Sequence, residues 1–243
     1  MSASKNRVDA QAAFILHAYP YRETSLIVEA FSQNFGRVAL VARGARRGRS
    51  ALRGTLMAFQ PLELGWFGQG EMHTLAKAEW QGGLPLPRDQ ALLIGYYLNE
   101  LLLRLLPRED PHPALFDAYH EMLAHLAAGV VVEGELRRFE YILLRELGYA
   151  PTLDKLADGS PVLADHRYAY QIERGPVVLG ETDGAALNSP AFSGKTLLAI
   201  MREDYNEAET LKQSKALMRL LIDHYLDGKA LNSRRVYKEL LEL

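Results

Sequence analysis

The fold of the N-terminal part is decided by residues 26–42, which read LIVEAFSQNFGRVALVA. Apolar residues recur at every second position in both halves of this stretch, which predicts two β-strands that each bury one face. Asn34-Phe35-Gly36 separates the halves, and asparagine followed closely by glycine is typical of a tight turn. The stretch therefore predicts a β-hairpin.

The same alternation continues on both sides of this hairpin. Residues 14–19, 62–66 and 72–80 have it too, and Pro20 and the glycines of residues 65–70 supply the turns between them. Five short antiparallel strands in about 70 residues favour a small closed barrel. The OB-fold is the most common five-stranded solution and often binds nucleic acid. An SH3-like barrel is the alternative.

The pattern changes after residues 82–87, Gly-Gly-Leu-Pro-Leu-Pro, which predicts a boundary between an OB domain at 1–82 and a helical domain at 88–243. Beyond the boundary, apolar residues recur with the period of a helix. Residues 151–184 are strand-like again and predict a small hairpin insertion. Three C-terminal helices are expected at about 193–202, 207–226 and 232–241. The predicted fold class is α+β, a five-stranded OB-type barrel followed by a mainly helical domain.

Composition restricts the chemistry of the chain. It has no cysteine, which excludes disulfides, thiol nucleophiles and zinc sites with cysteine ligands. The polar N-terminus is unlike a secretory signal, and no apolar stretch reaches the roughly 20 residues of a membrane span. We therefore expect a soluble cytoplasmic protein that carries no metal and no cofactor.

Charge is distributed unevenly along the 243 residues. The formal net charge is −2, yet residues 30–62 contain no aspartate or glutamate and carry a charge of +6. Guanidinium groups bind phosphate oxygens as planar forks and stack on bases, so an arginine-rich strip on an acidic body predicts DNA binding. The predicted DNA-binding residues are Arg37, Arg43, Arg46, Arg47, Arg49 and Arg53.

Aromatic side chains in the predicted barrel are candidates for stacking on bases, because binders of single strands combine cations with such rings. Each ring is equally a candidate for the core of the barrel. The candidates are Tyr19, Tyr21, Phe35, Phe59, Trp66 and Phe67.

Other functions were compared with DNA binding. The arginines could form a solvated face, or the protein could be an adaptor whose arginine loop binds an acidic partner protein. Gly194-Lys195-Thr196 resembles the end of a P-loop, but position 189 is serine where that motif has glycine, so we expect Ser193 to cap a helix instead. A metal-dependent nuclease would need convergent carboxylates, and the sequence shows no such cluster. We predict a protein that is not an enzyme.

A set of short motifs, in order and spacing, resembles the RecO family of DNA repair and recombination mediators over roughly residues 11–150. No single motif is specific, but the ordered set is. The matching stretches are Arg22-Glu-Thr-Ser-Leu26, Phe35-Gly-Arg-Val38, Ala42-Arg-Gly-Ala-Arg46, Leu52-Arg-Gly54, Phe59-Gln-Pro-Leu62, Thr74-Leu75, Ala78-Glu79, Tyr97-Leu-Asn-Glu-Leu-Leu102, Leu136-Arg-Arg-Phe-Glu140 and Leu147-Gly-Tyr149.

This resemblance implies a function and partners. Members of the family bind single- and double-stranded DNA and anneal complementary strands coated by single-strand-binding protein. They contact the acidic, Phe-ending tail of that protein, and with RecR they help to load a RecA-type recombinase. The chain would accordingly act at the bacterial nucleoid and be a monomer when free.

The resemblance also implies a place for the partner tail, near Leu136-Arg137-Arg138-Phe139, where Arg137 first and Arg138 second would bind its carboxylates. The alternative for both arginines is an ordinary ion pair along the helix. Some family members carry a four-cysteine zinc module in the helical domain. This chain departs from that pattern because it has no cysteine.

Overall fold

A computed structural model of the chain describes residues 7–130, 133–179 and 190–241. The first six residues of the predicted OB domain and residues 180–184 of the predicted hairpin region lie outside the described residues. The chain contains two compact units, one of residues 1–131 with 231–243 and one of residues 132–230. The division of the chain into domains at 82–88 stays a prediction.

The strands of the first unit form a closed barrel in the order β1-β2-β3-β5-β4, in which β3 and β5 run parallel and all other pairs are antiparallel. This confirms the OB-type barrel and the hairpin predicted from residues 26–42, whereas the expectation that all strands pair antiparallel is wrong for β3 and β5. The strands are β1 (Arg7–Tyr21), β2 (Ser25–Ser32), β3 (Gly36–Ala42), β4 (Pro61–Phe67) and β5 (Met72–Trp80), with a short helix α1 (Leu52–Thr55) between β3 and β4.

Alternating residues of the strands fill the barrel. Val28, Leu40, Leu64 and Trp66 are buried in its core, as the period-2 pattern predicts. Each of these side chains contributes about 1.5–3 kcal/mol to folding through the apolar surface that it removes from water.

The turn between β2 and β3 depends on Gly36. Its φ of +65° lies in the left-handed region that glycine adopts without strain. A Cβ at this position would lie 2.0 Å from the carbonyl oxygen of Asp110, so steric overlap also excludes a side chain. Gly36 therefore allows the segment after the second helix to pass directly over the barrel.

Two helices, α2 (Asp89–Leu105) and α3 (Pro113–Ala127), pack beside the barrel in the same unit. Buried Asn99 of α2 donates through Nδ2 to the carbonyl of Leu16 in β1, at 2.9 Å, and its Oδ1 accepts from the hydroxyl of Tyr119 in α3. Burial raises the pKa of Tyr119, so its hydroxyl stays protonated and remains a donor. One amide side chain thus joins β1, α2 and α3.

The C-terminal helix α7 (Asn232–Leu241) also belongs to the first unit and packs on α2. Glu100 of α2 accepts hydrogen bonds from the backbone amides of Asn232 and Ser233 and from the hydroxyl of Ser233, at 2.8–2.9 Å. These amides open α7 and have no partner within the helix. A carboxylate of a distant helix therefore serves as the N-terminal cap of α7.

The second unit contains α4 (Glu133–Glu146), a three-stranded sheet in the order β7-β6-β8, α5 (Gly194–Met201) and α6 (Ala208–Tyr225). The strands are β6 (Arg167–Gln171), β7 (Gly175–Val178) and β8 (Ala191–Ser193). The antiparallel pair β6–β7 is the predicted hairpin. The Ser193 hydroxyl accepts from the amide of Thr196 at 3.1 Å, which confirms the predicted helix cap.

Candidate nucleic-acid interface

The segment that follows β3 carries most of the predicted DNA-binding residues on a series of tight turns. We call residues 43–53 the arginine loop. Amide-to-carbonyl hydrogen bonds join Arg47 to Gly44, Ser50 to Arg47 and Arg53 to Ser50, at 3.0–3.2 Å. Ala45 is buried in the barrel core, so it fixes the middle of the loop to the barrel. The short turns and this anchor hold the arginines at the end of the barrel.

All five arginines of the loop, Arg43, Arg46, Arg47, Arg49 and Arg53, are exposed to solvent. Within residues 7–130, 133–179 and 190–241, none of them forms an ion pair with a carboxylate. The loop is therefore a local excess of positive charge that an anion can neutralise.

Gly44 allows the arginine loop to leave β3. Its φ is +68°, and an added Cβ would lie 3.5 Å from the Cδ and Nε atoms of Arg47. The Arg47 side chain thus runs across the open face of Gly44. A Cβ at this distance would make an ordinary van der Waals contact, so the left-handed backbone conformation, not lack of space, favours glycine at position 44.

The β1–β2 turn adds a cation, Arg22, that lies outside the arginine-rich window of the sequence. The amide of Arg46 donates to the carbonyl of Thr24 at 2.8 Å, and its Nη1 donates to the carbonyl of Arg22 at 3.3 Å. These bonds hold the β1–β2 turn against the arginine loop. Arg22 is exposed, with its guanidinium carbon 5.1 Å from the centre of the Tyr21 ring. It lies outside the acid-free window, but it begins a motif of the family resemblance.

Arg37 lies apart from the arginine loop. Its Nη1 is 3.1 Å from Oε2 of buried Glu29, and its Nε donates to the carbonyl of Leu106 at 3.0 Å. Arg108 pairs with the other oxygen of Glu29. Arg37 therefore belongs to a partly buried ion cluster that ties the segment after α2 to the barrel.

The candidate aromatic residues divide by burial. Phe59 and Trp66 are buried, so they belong to the packed interior and present no face to a base. Tyr19, Phe35 and Phe67 are exposed, and Tyr21 is half-buried. Trp80, which was not among the candidates, is 60% exposed, and its Nε1 donates to Oε1 of Gln60 at 3.0 Å.

The two residues expected to bind a partner tail lie on α4 of the second unit. Arg137 is largely buried, with 10% of its side chain exposed, and its Nη1 lies 2.9 Å from Oε2 of Glu140. Arg138 is 36% exposed and pairs with Glu203 at 2.7 Å and with Glu135 at 3.8 Å. Of the two, Arg138 is the more accessible to a partner.

No group of three or more histidine or acidic residues in the described part of the chain is arranged to hold a metal ion. Among the described helices, none combines the length and the hydropathy that a membrane crossing requires.

Comparisons with known proteins give the family. The chain matches the models described as Recombination protein O N terminal, over residues 8–83, and Recombination protein O C terminal, over residues 90–235. It is 58% identical to the DNA repair protein RecO of Aromatoleum aromaticum over 99% of this chain and 100% of that protein. It is 56% identical to the DNA repair protein RecO of Dechloromonas aromatica over 98% of this chain and 99% of that protein. The chain therefore belongs to the RecO family of recombination and DNA repair proteins.

Proposed function

We propose that this protein is a non-enzymatic mediator of DNA repair and recombination that binds single- and double-stranded DNA through the arginine loop. The observation that carries the proposal is the set of five exposed arginines without carboxylate partners in the described residues. They stand on a chain whose net charge is −2. A cationic patch on a protein of negative net charge binds a polyanion at that patch, while the acidic remainder of the surface repels it.

Binding to phosphates has a measurable signature. Each phosphate neutralised on single-stranded DNA contributes about −0.7 to the slope of log affinity against log salt concentration. Five contacts from the arginine loop therefore give a slope of about −3.5. Arginine contacts to phosphates do not depend on base sequence, so the affinity should vary little among oligonucleotides of equal length.

Family membership is the basis for a more specific account of what the protein does with DNA. The protein anneals complementary strands coated by single-strand-binding protein and, with RecR, promotes loading of the recombinase at the nucleoid. It does so as a cytoplasmic protein that is a monomer when free. Membership of the family supports this part, together with relatives named as DNA repair proteins.

The proposed contact for the tail of single-strand-binding protein is Arg138, with Arg137 behind it. Arg138 now faces the carboxylates of Glu203 and Glu135. An acidic tail would compete with these two side chains for the same guanidinium, which is possible because the pair is partly exposed and therefore weak.

The test is titration of labelled oligonucleotides with the full chain at several salt concentrations. The triple variant Arg43→Ala, Arg46→Ala, Arg47→Ala should lose affinity for all sequences alike and reduce the salt slope by about 2. A matched control replaces three exposed arginines of the second unit, Arg174, Arg202 and Arg219. Equal affinity of the triple variant and the parent would show that the arginine loop is not the site.

Two further outcomes would contradict the proposal as a whole. If the parent bound no oligonucleotide at low salt, DNA binding would be rejected and an adaptor for an acidic protein would be favoured. Incubation of labelled DNA with magnesium or manganese should leave the DNA intact, and cleavage products would show that the protein is an enzyme.

A further inference from the structure

Two arginines of α4 converge on one carboxylate in the second unit. Nε of Arg138 donates to Oε2 of Glu203 at 2.7 Å, and Nη1 of Arg145 donates to Oε1 of the same side chain at 3.3 Å. Each guanidinium thus binds a separate oxygen, and hydrogen bonds between such charged groups are stronger than those between neutral ones. We call Arg138 and Arg145 the arginine pair.

The helix α4 places both members of the arginine pair on one face. They are seven residues apart, which is two turns of the helix and about 10 Å along its axis. The guanidinium carbon of Arg145 also lies 5.9 Å from the centre of the Tyr141 ring. Two cations on one face repel each other, so an anion between them is favoured. The arginine pair is therefore a binding site for a carboxylate, and a residue of the chain itself occupies it.

Glu203 has a position at which helices commonly carry glycine. It follows α5 directly after Arg202, and its amide donates to the carbonyl of Ile200 at 3.0 Å. The amide of Asp204 donates to the carbonyl of Ala199, also at 3.0 Å. These two bonds form a Schellman motif, whose left-handed residue is usually glycine. The φ of Glu203 is +56°, so a carboxylate stands before the arginine pair on a backbone that would suit glycine better.

All three side chains of this contact are partly open to solvent. The exposed fraction of the side chain is 36% for Arg138, 44% for Arg145 and 26% for Glu203. Ion pairs in such a place are weak, because water solvates both charges. A carboxylate from outside can therefore replace Glu203 without leaving a buried charge unpaired.

We propose that the arginine pair is a docking site for an acidic peptide and that Glu203 is an internal competitor, which occupies this site in the free protein. The inference rests on the proposed contact of Arg138 with a partner tail, and it adds Arg145 to that contact. When an acidic segment binds, Glu203 moves into solvent and a carboxylate of the partner takes its place. The chain's own carboxylate thus limits the affinity for the partner.

The test is titration of a labelled acidic peptide, which ends in phenylalanine with a free carboxylate, with the full chain. Glu203→Gln should bind this peptide about threefold to tenfold more tightly than the parent, because two weak ion pairs no longer have to break. Glu203→Gly should give the same gain. Glycine also suits the left-handed backbone, so the result with this variant does not depend on a substitution that harms folding.

Two controls separate competition from a general effect of charge. Glu207→Gln removes an exposed carboxylate of the same unit that pairs with Lys195, and it should leave the affinity nearly unchanged. In a chain that also carries Arg138→Ala and Arg145→Ala, Glu203→Gln should give no gain, because no guanidinium remains for which two carboxylates compete. Arg145→Ala alone should weaken binding about tenfold, the loss expected for a hydrogen bond to a charged group.

The results separate this inference from the contact on which it rests. If the parent binds the peptide and both Glu203 variants bind it no more tightly, or if the gain persists without the arginine pair, Glu203 is not a competitor, and Arg138 can still bind the tail. If neither the parent nor the Glu203 variants bind the peptide, the proposed tail contact is wrong and this inference fails with it.

Discussion

The guanidinium of Arg37 lies 3.1 Å from the carboxylate of Glu29, whereas Arg43, six residues along the chain, has no such partner among the described residues. Both arginines belong to the acid-free window of the sequence. One is part of a structural ion cluster, and the other opens the arginine loop.

Replacement of Arg37 should therefore change stability and not DNA binding. Arg37→Ala leaves Glu29, which is largely buried, with Arg108 as its remaining ion-pair partner. Because a buried charge loses half of its partners, we expect unfolding to become easier by about 2–3 kcal/mol. Chemical denaturation measures this loss, and titration with single-stranded DNA should give the parent's salt slope. A less steep salt slope with unchanged stability would place Arg37 in the DNA-binding site.

Arg22 should contribute to DNA binding, although it lies outside the arginine window. Arg22→Ala removes one cation beside Arg46, so the salt slope for single strands should become less steep by about 0.7. The neighbouring exposed Glu23 is the matched control, because Glu23→Ala removes a repelling charge and should strengthen binding slightly. Equal slopes for Arg22→Ala and the parent would exclude Arg22 from the interface.

The partner-tail site can be tested with a short acidic peptide that ends in phenylalanine with a free carboxylate. Arg138→Ala should weaken its binding about tenfold, the loss expected for a hydrogen bond to a charged group. Arg202→Ala removes another exposed arginine of the second unit and serves as the control. Fluorescence anisotropy of the labelled peptide gives both affinities. Unchanged binding by Arg138→Ala would reject this docking site.

Loss of the buried Asn99 side chain should reduce stability more than loss of the Tyr119 hydroxyl, which donates a hydrogen bond to Asn99. Asn99→Ala leaves the Leu16 carbonyl and the Tyr119 hydroxyl without this partner, so we expect a loss of about 2–4 kcal/mol. Tyr119→Phe removes the hydroxyl that donates to Asn99 but keeps the bond from Asn99 to the Leu16 carbonyl, so it should cost about 1 kcal/mol. Denaturant unfolding of both variants provides the comparison. A larger loss in Tyr119→Phe than in Asn99→Ala would contradict this assignment.

Docking of α7 should weaken in acid. Partial burial opposes ionisation of Glu100, but hydrogen bonds from Ser233 and Asn232 outweigh it and lower the pKa of this carboxyl. Its stabilising contribution is therefore fully present above the ordinary pKa of a glutamate and is lost as the pH falls through the lowered pKa.

Glu100→Gln tests this pH dependence. The parent should be more stable than the variant at neutral pH, and the difference should shrink as the pH falls through the acidic range. Hydrogen exchange of the α7 amides at each pH reports the docking directly. A stability difference that is independent of pH would show that Glu100 does not cap α7 through its charge.

Much of the fold could be predicted because its signals are local. The alternation of residues 26–42 required a hairpin with one buried face, and Pro107, Gly129 and Gly148 follow the ends of α2, α3 and α4 closely. The helix cap at Ser193 followed from residue type and position. Trp66, a candidate for stacking, is instead buried, because alternation alone does not say which face of a strand points inward.

The sequence predicted the region of the candidate site but not which of its arginines pair with carboxylates. A run without acidic residues can be counted along the chain, but the partner of each arginine cannot. Glu29 precedes Arg37 by eight residues and Arg108 follows it by seventy-one, and only the packing of the segment after α2 brings the three together. Arg22 joins the arginine loop through two backbone carbonyls, which carry no signal in the sequence.

The sequence by itself determined the barrel, the helices and the place where positive charge accumulates, because periodicity and charge are properties of neighbouring residues. Only the tertiary structure decided which arginines of the acid-free window pair with a carboxylate among the described residues and which do not. That difference depends on packing between segments far apart in the chain, because Arg108 reaches Glu29 only where the segment after α2 lies against the barrel.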